Sequence, residues 1–180
     1  MNMSLQPSKK NLPENGNNAL KKLYILRHAK AVLDHGEGDE ARALAPRGRK
    51  AASAMGEFIA RQPLAPALAL CSTAIRTRET LAQILPALRP APRVSYEEAL
   101  YLADTKRLLQ RIQKIGDDIE SALLVGHNPG VQDLAMRLVS DPAKLGTGFP
   151  TAALAVIEIP ESWAALEART ARLVAFQTPT

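Results

Sequence analysis

Cysteine is nearly absent from this chain of 180 residues: Cys71 stands alone. A single thiol excludes a disulfide framework and any zinc site built from several thiolates. Aromatic residues are scarce too, with three Phe, three Tyr and one Trp. So few rings argue against an aromatic cage or a base-stacking platform for RNA, and they leave the core to Ala, Leu, Ile and Val. No apolar run approaches the roughly 18 residues of a membrane span. Residues 1–18 are rich in Asn, Pro, Lys and Ser and lack the apolar stretch of a secretory signal. A cytoplasmic, metal-free globular domain is expected, with residues 1–20 as a disordered leader and 21–180 as the folded unit.

The basic balance is small once it is located. The chain carries 23 Lys and Arg against 18 Asp and Glu, a net +5. Lys9, Lys10, Lys21 and Lys22 face only Glu14 near the start, so +3 lies there and +2 is spread over the rest. This is no footprint of a nucleic-acid face, and neither nucleic acid nor a membrane is an expected partner.

What is present is an alternation of short apolar runs and helical stripes. Leu23–Leu26, Ala67–Cys71 and Ala122–Val125 are wholly apolar, as strands buried on both faces must be. Between them, Ala45–Ala60 forms a helix with Pro46 in its first turn. A second helix runs from a Ser72 or Thr73 cap to about Leu85, stopped by Pro86. Leu108, Leu109, Ile112 and Ile115 mark one face of a helix over 105–115, and Val131, Leu134, Ala135 and Leu138 mark another. Late strands fall at 152–159 and 173–176, with a short helix around Trp163. The pattern predicts an α/β fold: a three-layer α/β/α sandwich around a mostly parallel sheet.

Ligands in such sheets bind beyond the carboxyl ends of the strands. His28 follows the first strand directly after Arg27, and His127 follows the third after Gly126. The second strand runs into Ser72-Thr73 and then a helix carrying Arg76 in its first turn, an arrangement suited to an anion. A thiol phosphatase needs five residues between its Cys and Arg; four separate Cys71 from Arg76 and six separate it from Arg78, so Cys71 is assigned to the core. His28, His35 and His127 have no metal-ligand spacing, and Asp117-Asp118 lacks a Gly-loop context, so no cofactor is expected. Arg27, Arg76 and His127 would then clamp a phosphoryl group, with neutral His28 as the available nucleophile.

Three ordered motifs carry a resemblance: Arg27-His28-Ala29; Ser72-x-x-x-Arg76-Thr77-x-Glu79-Thr80; and Gly126-His127-Asn128-Pro129. Together they resemble the histidine phosphatase (phosphoglycerate mutase-like) superfamily. Ala99-Leu100-Tyr101, Leu123–Gly130 and Phe149-Pro150-Thr151 are similar to its SixA-type phosphohistidine phosphatase branch. The resemblance implies a phosphoglycerate mutase-like fold, transient phosphorylation of His28, and Arg27, Arg76 and His127 on the phosphoryl oxygens. It also implies a phosphohistidine-bearing protein, or a small phosphorylated molecule, as substrate. Two positions depart from the pattern. Ala29 replaces a Gly, and Leu102 stands where many members carry a proton-donating Glu. Asp34, Asp39, Glu98 and Asp104 are the substitute candidates, each more simply a surface or capping carboxylate. Arg42 and Arg47 are candidates for the pocket rim or plain solvated face. A small-phosphoester or anhydride phosphatase and a non-catalytic phosphate-binding module remain as alternatives.

Overall fold

The computed structural model describes residues 20–180, so the expected leader lies almost entirely outside the described residues. Six strands form one sheet: β1 (Lys21–Arg27), β2 (Leu68–Ser72), β3 (Arg93–Glu97), β4 (Ser121–Gly126), β5 (Leu154–Ile159) and β6 (Arg172–Gln177). Their order is β3-β2-β4-β1-β5-β6. The first four are mutually parallel, whereas β5 runs antiparallel to β1 and β6 antiparallel to β5. The sheet is thus mostly parallel, as expected.

Helices α1 (Pro46–Ala60) and α2 (Ile75–Ile84) cover one face, and α3 (Thr105–Gln113) and α4 (Gly130–Leu138) the other. The period-2 alternation of a strand sorts the core between them. Leu23 and Ile25 of β1 pack with Leu124 of β4 toward Leu108, Ile112, Leu134 and Leu138. Tyr24 and Leu26 pack with Leu123 and Val125 toward Met55, Ile59, Leu81 and Ile84. The α1–α2 contact is close because α1 carries Gly56: a Cβ there would stand 2.9 Å from the Ile84 Cα. Among the described residues, no helix is long and apolar enough to cross a membrane.

Several boundaries differ from the sequence expectation. β3 was not expected; it is an edge strand, half-exposed along its length, and carries too few apolar residues to stand out. β5 begins at Leu154 rather than 152, because Ala152 takes a left-handed φ of 62° that no strand accommodates. The cap of α2 is Ala74, not Ser72 or Thr73, and no side chain closes it. The Ser72 hydroxyl is engaged elsewhere.

Candidate active site

β2, β4 and β1 are adjacent and parallel, so their carboxyl ends open onto one cleft. That edge delivers Ser72, His127 and His28 together. His28 is anchored through its backbone on both sides: its N–H donates to Gly126 O at 3.0 Å, and its carbonyl accepts from Ala152 N at 3.0 Å. The next residue is held as well, since Ala29 N donates to Thr80 Oγ1 at 3.0 Å and that hydroxyl donates to Arg76 O at 2.6 Å. Thr80 thus ties the nucleophile candidate's neighbour to the helix that carries the arginine.

All four expected site residues line one cavity of about 340 Å³: Arg27, His28, Arg76 and His127. The rings of His28 and His127 stand 5.3 Å apart. Nδ1 of His28 lies 2.8 Å from the Ala29 carbonyl. A carbonyl only accepts, so Nδ1 carries the proton and Nε2 keeps its lone pair. His127 is fixed by the same logic. Arg76 Nη2, a donor only, sits 3.2 Å from Nδ1, which leaves Nε2–H to donate to Ser72 Oγ at 2.7 Å. Burial, then the charges of Arg76, Arg27 and Arg42, push the His28 pKa down to about 4. Burial and then Arg76 push His127 to about 3. Both rings are neutral near pH 7.

Arg76 is almost wholly buried, and its fork is occupied: Nη1 donates to Asp39 O at 2.7 Å and Nη2 to Asp39 Oδ2 at 2.8 Å. Tyr101 OH donates to the same Oδ2 at 2.5 Å, and Arg42 Nη1 to Oδ1 at 3.0 Å. The Tyr101 hydrogen bond and the two guanidiniums hold the Asp39 carboxyl well below the usual carboxylate range, so it stays ionised. Burial first, and then Asp39, push the Tyr101 hydroxyl up. Arg27 Nη1 donates to Phe149 O at 3.0 Å. The buried Nε atoms of Arg27 and Arg76 have no acceptor among the described residues, a charged donor surplus suited to an anion.

The four candidate acids separate clearly. Asp34 is exposed and accepts from the N–H groups of Gly36, Glu37 and Gly38, which closes a turn. Asp104 caps α3 by accepting from Arg107 N at 2.8 Å. Glu98 is exposed and lies outside the cavity lining. Asp39 alone enters the cavity, and it is ionised. Leu102 lines the cavity too, more than half exposed and at a left-handed φ of 47°.

Of the two rim candidates, Arg42 lines the cavity, and Arg47 lines a neighbouring one. Cys71 is fully buried, and burial pushes its thiol up to about 12, which removes it from the chemistry. Tyr101, packed edge-on to the His127 ring at 5.4 Å, and Asn128 were not singled out from the sequence. Asn128 lay inside the third motif and Tyr101 inside the Ala99-Leu100-Tyr101 stretch, but neither was assigned a role. Glu79 of the second motif accepts from Leu44 N at 2.6 Å, fastening the segment after His28 rather than touching the cavity. Among the described residues, no three His, Cys, Asp or Glu gather closely enough to hold a metal ion.

This geometry defines a phosphatase-type pocket, and comparison with known proteins assigns its class. Residues 23–103 match the profile of the histidine phosphatase superfamily (branch 1). An uncharacterised protein of Mycobacterium leprae is 37% identical over 164 residues, covering 86% of this chain and 99% of that one. A structure from Agrobacterium tumefaciens, provisionally named phosphohistidine phosphatase SixA, is 31% identical; the match covers 88% of this chain and 98% of that one at a TM-score of 0.77. The protein histidine phosphatase SixA in complex with tungstate shares the fold, with 22% identity, a TM-score of 0.74, and coverage of 88% of this chain and 97% of that one. The chain belongs to the histidine phosphatase superfamily, in its SixA-type branch, and is a phosphatase.

Proposed function

We propose that the protein removes phosphoryl groups from phosphohistidine on a protein, through a covalent intermediate on His28 Nε2. One observation carries the substrate choice: among the described residues, the only carboxyl group in the cavity lining, Asp39, is held ionised by Tyr101, Arg76 and Arg42. Among the described residues, no carboxylic acid in the lining is available to protonate a leaving group. An alkyl phosphate would have to expel an alkoxide, whose conjugate acid has a pKa on the order of 15, close to that of water. Phosphohistidine instead takes a proton from solvent on the ring nitrogen remote from phosphorus, and leaves as neutral imidazole, whose conjugate acid titrates at about 6.5. The relative from Agrobacterium tumefaciens supports this reading by its name.

In the first step the Nε2 lone pair of His28 forms a bond to phosphorus as the substrate P–N bond breaks. Arg27, Arg76 and His127 hold the phosphoryl oxygens, whose charge is spread over three positions in the transition state. A water oxygen then attacks phosphorus, the His28–P bond breaks, and inorganic phosphate leaves with His28 regenerated.

The test compares kcat/KM for a phosphohistidine protein with that for an alkyl phosphate, and quenches the reaction to look for acid-labile phosphate on His28. A clear preference for the phosphohistidine protein, with label lost in His28→Ala, upholds the reading. Preference for the alkyl phosphate, or turnover by His28→Ala, overturns it.

A further inference from the structure

Lys30 and Arg47 make a basic shelf beside the phosphoryl pocket with no structural task of their own. Lys30 stands where that pocket meets a second cavity of about 320 Å³, and Lys30 and Thr151 line both. Arg47 lines only the second cavity, whose lining also includes Pro179 and Thr180. The backbone beneath is locked. Ala45 N donates to Lys30 O at 2.8 Å, and a Cβ on Gly48 would lie 2.1 Å from that same oxygen. Glycine is what lets the first turn of α1, with Arg47 on it, close against Lys30. Both side chains are exposed, and among the described residues neither forms an ion pair or a side-chain hydrogen bond.

The placement of charge also runs against the helix. α1 opens with Arg47, Arg49 and Lys50 and has no acidic residue in its first turn. A cation there meets the positive end of the helix dipole and is disfavoured. Arg49 is compensated by Glu79 at 3.2 Å; Arg47 has no such partner among the described residues. Local rules broken without a structural return are expected at functional or strained positions.

We infer that Lys30 and Arg47 form a subsite for a second anionic group of the substrate, carried beyond the phosphoryl that faces His28. This rests on the reading that the His28 pocket turns that phosphoryl over. Two cations on a shelf continuous with the pocket select a substrate by charge at a distance from the reacting phosphorus. A carboxylate flanking phosphohistidine in a protein and a second phosphate on a small molecule share that chemistry.

The experiment measures ratios. One arm compares phosphohistidine peptides of equal length with Glu or Ala flanks; the other compares a bisphosphorylated with a monophosphorylated small molecule. The full-length wild type is expected to favour the doubly anionic member of at least one pair by about three- to thirtyfold, the reach of two partly screened ion pairs. That ratio should fall toward one in the Lys30→Ala/Arg47→Ala double variant and at high salt, and should invert in Lys30→Glu/Arg47→Glu. The arm in which this happens identifies the source of the anion. Ratios near one in both arms for the wild type, or ratios that the double variants leave unchanged, overturn the subsite. Failure of the underlying reading looks different: neither phosphohistidine peptide is turned over at all, whatever its flanks.

Discussion

An imidazole meant to attack phosphorus must be neutral, and the structure makes His28 neutral far into the acid range. The perturbation to apply is protonation itself. His28 is 8% exposed, and burial, followed by Arg76, Arg27 and Arg42, brings its pKa from 6.5 to about 4. At pH 5.5 an unperturbed histidine would be only about one-tenth neutral, whereas His28 is still more than about nine-tenths neutral. The shift is worth about 3 kcal/mol between the two protonation states. Its sign for folding follows from linkage: the folded pKa lies below the unfolded value, so the unfolded chain binds the extra proton. The stabilisation is full above pH 6.5 and is lost as pH falls toward 4. His127, pushed to about 3, acts in the same direction, but the two rings repel when charged, so their effects do not add.

The direct assay is the nitrogen NMR of the two imidazoles across pH 4–8. His28 should keep a protonated Nδ1 and an unprotonated Nε2 down to about pH 5, with its midpoint near 4. The acid limb of kcat/KM, corrected for ionisation of the substrate phosphate, should follow that midpoint, while the melting temperature drops over the wider window from 6.5 downward. A His28 midpoint between 6 and 7, or a proton on Nε2 near neutrality, would refute the idea that burial and the arginines prepare His28 as the proposed nucleophile.

Three further outcomes are expected. Arg76→Lys should impair kcat nearly as much as Arg76→Ala, because an ammonium cannot reproduce the fork that spans Asp39 and faces His127; steady-state kinetics of the two variants decide it. Thr80→Val removes the acceptor of the buried Ala29 N–H and should lower stability in urea melts by about 1–3 kcal/mol, with a loss of turnover because Ala29 adjoins His28. Leu102→Glu places a carboxyl at the mouth of the cavity and should raise kcat/KM for alkyl phosphates relative to phosphohistidine; an unchanged ratio would mean that Leu102 does not face the leaving group.

The candidate site was legible because two of its members sit at strand ends. An apolar run that stops at a histidine reports both the strand and the cleft, and His28 and His127 are such cases. Arg76 was legible because it follows the second strand within one helical turn. What was not legible came from contacts across long separations. Asp39 meets Arg76 across 37 positions and Tyr101 across 62, and nothing in local spacing announces either. The antiparallel direction of β5 was equally hidden, since alternation is the same for both directions. Two of the acid candidates, Asp34 and Asp104, are drawn to free backbone N–H groups, a local use of a carboxylate that any loop or helix start offers.

On the proposed mechanism the arginines hold both histidines neutral before substrate arrives, and the phosphoryl group then offsets that field, in an order that follows from charge. In the free pocket Arg27, Arg42 and Arg76 add to burial in keeping His28 neutral, which preserves its lone pair. A phosphoryl group brings roughly 1.5–2 negative charges among them and cancels that field. Removing it raises the proton affinity of whichever imidazole is not bonding to phosphorus. That ring is His127, where Arg76 is the largest electrostatic opponent and Nδ1 is an acceptor rather than a donor. Asp39 works against the incoming group, because its carboxylate already holds Nη2 of Arg76, and two anions cannot share one donor without repulsion. On the proposed mechanism, binding is expected to draw Arg76 from Asp39 toward the phosphoryl group. On that mechanism the empty site keeps His28 neutral, and filling it raises the proton affinity of His127. The acid limbs of kcat/KM and kcat, which report the free and the bound site respectively, must then lie at different pH values.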